Sequence, residues 1–163
     1  QQAMQAMATT GKHDGLTVAF RNLPRKYTEK ELALELSWYV GASGFDFVWV
    51  PWKRGHRVNE GHALVNFVDG VTAGTVVSRM TKENWWCANA TLPIQAELAT
   101  THGLRANLRP FAPGASEQQG AVPSHMPWVF KAGRRLTVAD AMRQYCIEDH
   151  HVDATQFVAE VGK

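Results

Sequence analysis

This sequence has little cysteine and no long hydrophobic run. Its two cysteines, Cys87 and Cys146, are far apart, which suits reduced thiols inside a cell better than a disulfide framework. Without a run of about 18 apolar residues, it offers no membrane-spanning helix, and we expect no membrane partner. Gln1 to Asp14 lack the pattern of a signal peptide and the first residue is not Met. We therefore expect an intracellular piece of a longer protein, in the nucleus, the cytoplasm or both.

The sequence also lacks the patterns that carry catalysis. No Ser/His/Asp or Cys/His set stands in a recognisable frame, and no phosphate-binding P-loop occurs. His150 and His151 lie near Cys146, but the spacing does not follow a structural zinc pattern, and a solvated turn is the preferred interpretation. The sequence therefore predicts no enzyme activity, no cofactor and no metal.

A strong net charge is absent too, since the formal value is only +2. Residues 15–111 carry 11 Lys/Arg against 8 Asp/Glu, a net of +3, whereas residues 112–163 carry 5 against 6, a net of −1. The hydrophobic content of 45%, with six Trp, indicates one folded domain with a real core. The pattern is a mildly basic module with a near-neutral tail.

The segment from Glu60 to Phe67 has the clearest pattern in the sequence. Ala63, Val65 and Phe67 alternate with His62, Leu64 and Asn66, as in a strand with two different faces. It approaches the octamer K/R-G-F/Y-G/A-F-V-x-F/Y of the RNA-recognition motif (RRM), with His62 and Leu64 in place of the stacking aromatics. Upstream, the hexamer from Val18 to Leu23 supplies a second motif, and the two are predicted to pair as central strands.

The remaining elements give the order strand, helix, strand, strand, helix, strand. Thr28 and Glu31 form a capping box for the first helix, and Asp69 caps the second. The predicted strands cover 16–21, 45–50, 60–67 and 93–98, and the second helix covers 71–80. This order predicts an α+β, ferredoxin-like βαββαβ sandwich with two helices behind one sheet.

We divide the chain into four parts. Residues 1–15 form a disordered leader, 16–111 the RRM domain, 112–127 a linker by composition, and 128–163 a C-terminal extension with one or two short helices. Thr137 opens the first of these helices, and Asp153 caps the second. Trp128 and Phe130 are expected to anchor the extension on the domain.

The segment from Thr17 to Thr28 resembles the opening of the carboxy-terminal RRM of the Mei-two-like family, RNA-binding proteins associated with meiosis and development. The resemblance covers 16–131 and continues in these residues: Phe45-Asp46-Phe47 before Pro51; Asn59, Gly61, Ala63, Asn66, Phe67 and Asp69; His102-Gly103-Leu104 and Phe111; and Met126 to Phe130. It departs at Ala19, His62, Leu64 and Gly74. It implies an added helix after the fourth strand, single-stranded RNA as the partner, and a role in post-transcriptional regulation.

The candidate RNA-binding residues lie on the outer sheet face and in the loops beside it. The predicted set is Arg21, Asn22, Trp52, Lys53, Arg54, Arg57, His62, Leu64 and Asn66. His62 offers a ring face, Arg21 a guanidinium plane and Asn66 an amide for a base edge. The three loop cations suit phosphates, Arg25 and Lys26 serve the same edge, and Trp52 is placed to stack a base.

Two other interpretations remain open. In the first, the RRM binds protein, through its sheet or its helices, because the sheet has lost its base-stacking residues; the outer face is then covered by the tail or by a partner. In the second, the chain is a structural fragment whose function lies in a missing amino-terminal portion. Ala19, His62 and Leu64 favour the first alternative, whereas Arg21, Asn66 and the basic loop favour RNA.

Overall fold

The computed structural model describes residues 15–80, 93–112 and 125–145. The elements are β1 (Leu16–Arg21), α1 (Glu29–Val40), β2 (Phe45–Trp49), β3 (His62–Phe67), α2 (Gly70–Met80), β4 (Gln95–Leu98), α3 (Leu104–Leu108), a 3-10 turn (Arg109–Phe111), β5 (Trp128–Lys131), β6 (Arg134–Leu136) and α4 (Val138–Gln144). Among these helices none combines the length and hydropathy needed to cross a bilayer. Cys87, Cys146, His150, His151 and Asp153 lie outside the described residues.

Local side-chain chemistry sets where the helices begin. The Glu31 amide donates to the Thr28 hydroxyl at 3.3 Å, so the capping box predicted for α1 is confirmed. At α2, the Thr72 amide donates to the Asp69 carboxylate at 2.7 Å. Thr137 caps α4 in the same way, with its hydroxyl accepting from the Asp140 amide at 3.0 Å. These caps satisfy amides that have no partner within the helix.

The strands form one six-stranded antiparallel sheet in the order β4-β1-β3-β2-β5-β6. Its first four strands have the ferredoxin-like arrangement, so the predicted fold class is confirmed, including the added helix α3 and the helical extension. The hairpin β5–β6 continues the sheet beyond β2, with Val129 opposite Phe47. Docking of Trp128 and Phe130 is confirmed, since Val48 pairs with Trp128 and the Phe130 ring centroid lies 5.2 Å from that of Phe45. That the segment docks as extra strands was not predicted.

The inner face of the sheet packs against α1 and α2. The strand residues predicted to face inward are all fully buried: Val18, Phe20, Ala63, Val65 and Phe67. Leu32 and Leu36 of α1 meet them in the same core. Burial of these side chains is the main stabilising contribution to the predicted part of the fold.

A second core lies on the outer face of the same sheet. Its buried residues come from the sheet, α3, the end of the 3-10 turn and α4: Phe47, Leu104, Leu108, Ala112, Val129, Ala141 and Met142. The sheet is therefore the middle of three layers, and part of its outer face is covered by the chain's own carboxy-terminal elements.

Candidate nucleic-acid interface

The outer face divides into a covered end and an open end. At the covered end, Asn66 is fully buried. Its Oδ1 accepts from the Thr17 hydroxyl at 2.9 Å and from the Gly103 amide at 3.1 Å, while its Nδ2 donates to Asp46 at 2.9 Å. The expectation that Asn66 faces solvent is corrected, because the segment leading into α3 covers it and protein groups take up its polar atoms.

His102 and Asn107 complete this covered end. The Thr17 amide donates to Nδ1 of His102 at 3.0 Å, and Asn107 donates to the Thr17 hydroxyl at 2.8 Å. Burial lowers the pKa of His102, opposed by a backbone hydrogen bond with Ala99. The folded structure therefore favours the neutral form of His102, in which Nδ1 accepts the hydrogen bond from the Thr17 amide.

The middle of the outer face is partly covered. Leu64 is half-buried and packs against the second core. Trp49 lies beside it on β2, with its ring centroid 5.0 Å from that of Phe111 in an edge-on arrangement. Leu64, an aliphatic residue at a position where an RRM usually has a stacking aromatic, thus packs against other side chains of the protein.

Arg21 and His62 form the open end. They stand directly opposite each other on β1 and β3, with side chains 60% and 41% exposed. Arg21 pairs with Glu97 at 2.5 Å, and Nε2 of His62 lies 3.9 Å from Glu60. Exposed pairs of this kind contribute little to stability, so both planes are available to a ligand.

The β2–β3 loop carries a dense group of cations. They are Lys53, Arg54 and Arg57, all exposed, with the exposed His56 among them, and no acidic residue occurs between positions 51 and 59. The Lys53 amide donates to the Val58 carbonyl at 2.9 Å, which closes the loop as a short hairpin tip. The tip thus holds several positive charges close together in water.

Asn59 fastens the β1–α1 loop to this tip. Its buried side chain donates to the carbonyls of Pro24 at 2.7 Å and Tyr27 at 3.0 Å, and its amide donates to the Arg25 carbonyl at 2.8 Å. Arg25 and Lys26, both exposed, therefore join the loop cations. Asn59 appears in the family pattern, but its clamping role was not predicted.

The two remaining predicted residues have internal contacts. Asn22 adopts a left-handed conformation with φ of 62°, and its Nδ2 donates to the Pro93 carbonyl at 3.0 Å. It therefore links the end of β1 to the chain leading into β4. Trp52 is half-buried, and its ring stacks on His125 with a centroid separation of 4.8 Å and an interplanar angle of 17°. The ring face expected to receive a base is thus in contact with an imidazole.

Within residues 15–80, 93–112 and 125–145, no group of three or more His, Cys, Asp or Glu side chains is arranged to hold an ion. The candidate histidines of the sequence lie beyond these ranges.

Comparison with known proteins finds likeness in structure only. No protein-family model matches the sequence, and no curated protein matches it. Similar solved structures include the Sxl-lethal protein/RNA complex, at 18% identity over 52% of this chain and 47% of that chain, with a TM-score of 0.45. The Rna15 RRM with bound RNA (GU) matches at 11% identity over 65% of this chain and 97% of that chain, also with a TM-score of 0.45.

The second RRM domain of the yeast poly(U)-binding protein matches at 12% identity over 55% of this chain and 99% of that chain, with a TM-score of 0.43. The similar region thus spans about half of the Sxl-lethal chain and nearly all of the other two. The Rna15 and poly(U)-binding structures are RRM domains. The resemblance to the Mei-two-like family stays a prediction.

Proposed function

We propose that this chain is a single-stranded RNA-binding domain whose contact surface is the open end of the sheet and the loops around it. The observation that carries the proposal is that the basic loops and the exposed pair of Arg21 and His62 lie at the same place in the fold. The β1–α1 loop directly follows Arg21 and the β2–β3 loop leads directly to His62, so the loop cations and the exposed pair lie at the same end of the sheet. Over the rest of the outer face, residues of α3 and α4 pack against the sheet in the second core.

The chemistry of this surface suits a flexible strand. Lys53, Arg54 and Arg57 attract phosphates and release counterions from them, a contribution that does not depend on sequence. His62 and Arg21 offer planes on which bases stack, each worth about 1–3 kcal/mol. Since Leu64 and Ala19 are not aromatic, we expect phosphate contacts to supply most of the affinity. A role in post-transcriptional regulation, in the nucleus or the cytoplasm, belongs to the same proposal.

Replacing Lys53, Arg54 and Arg57 by Gln tests the phosphate contacts. Affinity for unrelated single strands is expected to fall alike, and the log–log salt slope to decrease by about 0.7 for each lost phosphate contact. Fluorescence anisotropy at several salt concentrations measures both quantities. His62→Ala is expected to reduce sequence preference while leaving the slope nearly unchanged, because base contacts specify and phosphate contacts position.

A matched control is available on the β5–β6 hairpin. Lys131, Arg134 and Arg135 are exposed and carry the same charge, but their turn lies beside Ala42, at the opposite end of the sheet. Their replacement by Gln is expected to change the slope much less. An equal effect of both triple variants, or a parent chain that binds no oligonucleotide tighter than millimolar, would contradict the proposal.

Protein binding through the helical face is the second candidate function. Leu34 and Trp38 stand one turn apart on α1 and are 49% and 70% exposed. Together with the partly covered outer face, they favour a partner on the side opposite the proposed RNA surface. Leu34→Ser with Trp38→Ser is expected to abolish such a partner's binding and leave RNA affinity unchanged.

A further inference from the structure

A small niche beside the basic loop is filled by an aromatic ring of the chain itself. The His125 imidazole lies parallel to the Trp52 indole, at 4.8 Å and 17°. Its Nδ1 lies 3.2 Å from Oε1 and 3.3 Å from Oε2 of Glu29. A flat ring thus stacks on an indole, and one of its nitrogen atoms lies within hydrogen-bonding distance of both oxygens of a carboxylate. A carboxylate accepts hydrogen bonds, so it pairs with the tautomer that carries its proton on Nδ1.

The walls of this niche are fixed by the fold. Glu29 is the first residue of α1, and its side chain is only 4% exposed. The Val50 amide donates to its Oε1 at 3.3 Å, which holds the carboxylate against the end of β2. Trp52 follows two residues later and forms an isolated bridge with Asn59. The niche therefore belongs to the same clamped loop region as the cations.

His125 is held in a different way. Its backbone carbonyl accepts from Nε1 of Trp49 at 2.9 Å, while its side chain is 37% exposed. The backbone anchor does not involve the imidazole. A rotation about the side-chain bonds can thus move the ring into solvent while the start of β5 stays in place.

We propose that His125 occupies a base-binding niche, and that a guanine of single-stranded RNA displaces it. Stacking on an aromatic ring combined with hydrogen bonding along the Watson–Crick edge is how proteins recognise unpaired bases. Guanine presents two adjacent donors on that edge, N1–H and the 2-amino group, and they match the two oxygens of Glu29. Uracil, cytosine and adenine each present a single donor group there.

The niche extends the RNA-binding function proposed above and rests on it. Trp52 directly precedes Lys53, so the niche lies next to the first of the loop cations along the chain. Binding of guanine is an exchange in which the stack and hydrogen bond of His125 are lost and equivalent ones are gained. The imidazole therefore lowers the apparent affinity, and its removal is expected to raise it.

His125→Ala is the variant that tests this exchange. With the hexanucleotide UUUGUU, we expect the variant to bind about tenfold more tightly than the parent, equivalent to about 1.4 kcal/mol. With UUUUUU, no gain is expected. Inosine in place of guanosine removes the 2-amino group and is expected to remove most of the gain, as is the added substitution Trp52→Leu. Guanosine monophosphate as a competitor shows whether a single nucleotide suffices for binding. Displacement of UUUGUU at millimolar concentration identifies a nucleotide site. No displacement at that concentration identifies a site that needs the RNA strand.

A second measurement covers the case in which His125→Ala unfolds. In the parent chain, the indole N–H resonance of Trp52, assigned with Trp52→Phe, is expected to shift with UUUGUU and much less with UUUUUU. Equal shifts with both, or none, would overturn the niche.

The outcomes separate the two proposals. If the loop-cation variant loses affinity but His125→Ala gains none for UUUGUU, the niche is refuted and the RNA surface stands. If His125→Ala gains guanine affinity while neutralising the loop changes nothing, the niche stands and the phosphate-binding loop is refuted.

Discussion

Asn66 shows at the scale of one residue how the two sides of the sheet are joined. Its amide contacts β1 through Thr17, β2 through Asp46 and the start of α3 through Gly103. Strand alternation correctly predicted the face on which Asn66 lies. It could not predict what covers that face, because the cover comes from residues distant in sequence.

Replacing Asn66 by Ala is expected to cost about 1–3 kcal/mol of unfolding free energy, because buried partner groups lose their hydrogen bonds. Urea unfolding measures this loss. His62→Ala on the same strand face is the control, since a partly exposed side chain without a buried network should change stability by about 0.5 kcal/mol or less. Equal effects would mean that Asn66 does not join the layers.

The carboxy-terminal extension behaves as part of the fold at the scale of elements. Val129 of β5 and Met142 of α4 are buried in the outer core. On the other face of the hairpin, the Arg135 guanidinium lies 3.4 Å from the centre of the Trp128 ring. Thr137 predicted the start of α4, but the short strands β5 and β6 have too few residues for a clear periodic signal.

Met142 in the extension and Met126 just before it provide a matched test of this packing. Met142 is 5% exposed and Met126 is 45% exposed. Met142→Ala is expected to cost about 2–5 kcal/mol because it leaves a cavity between α4 and the sheet. Met126→Ala is expected to change stability by about 0.5 kcal/mol or less. Similar losses in thermal or urea unfolding would show that α4 does not pack as described.

Across the whole molecule, the part that sequence reasoning predicts best is the inner half of the sandwich. The alternation of Val18, Phe20, Val65 and Phe67 and the caps at Thr28 and Asp69 specify it locally. The outer layer depends on tertiary contacts such as that between Thr17 and Asn107, which no short window of sequence contains. The loop cations of the candidate site were predictable from composition. The covering of one end of the outer sheet face by the chain itself was not.

The stability of the whole fold is expected to depend on pH through His102. Burial lowers its pKa below the ordinary value of 6.5, so the unfolded chain takes up a proton first as the pH falls. The stability that this pKa difference contributes is fully present above about pH 6.5. It is lost as the pH falls towards the pKa of His102 in the folded state. Unfolding free energies at about pH 7.5 and pH 5.5 should differ less in His102→Gln than in the parent. An unchanged difference would assign the pH dependence to other groups.

The β5–β6 hairpin also changes which strands form the edges of the sheet. Without it, the edge would be β2, with the sequence Phe-Asp-Phe-Val-Trp, whose unpaired backbone groups and aromatic side chains favour pairing with another molecule. Among the described strands the edge is instead β6, which has three residues, two of them exposed arginines. The opposite edge, β4, is also short and exposes Gln95 and Glu97. The extension thus protects the domain against edge-to-edge aggregation, a benefit that holds whichever ligand the domain binds.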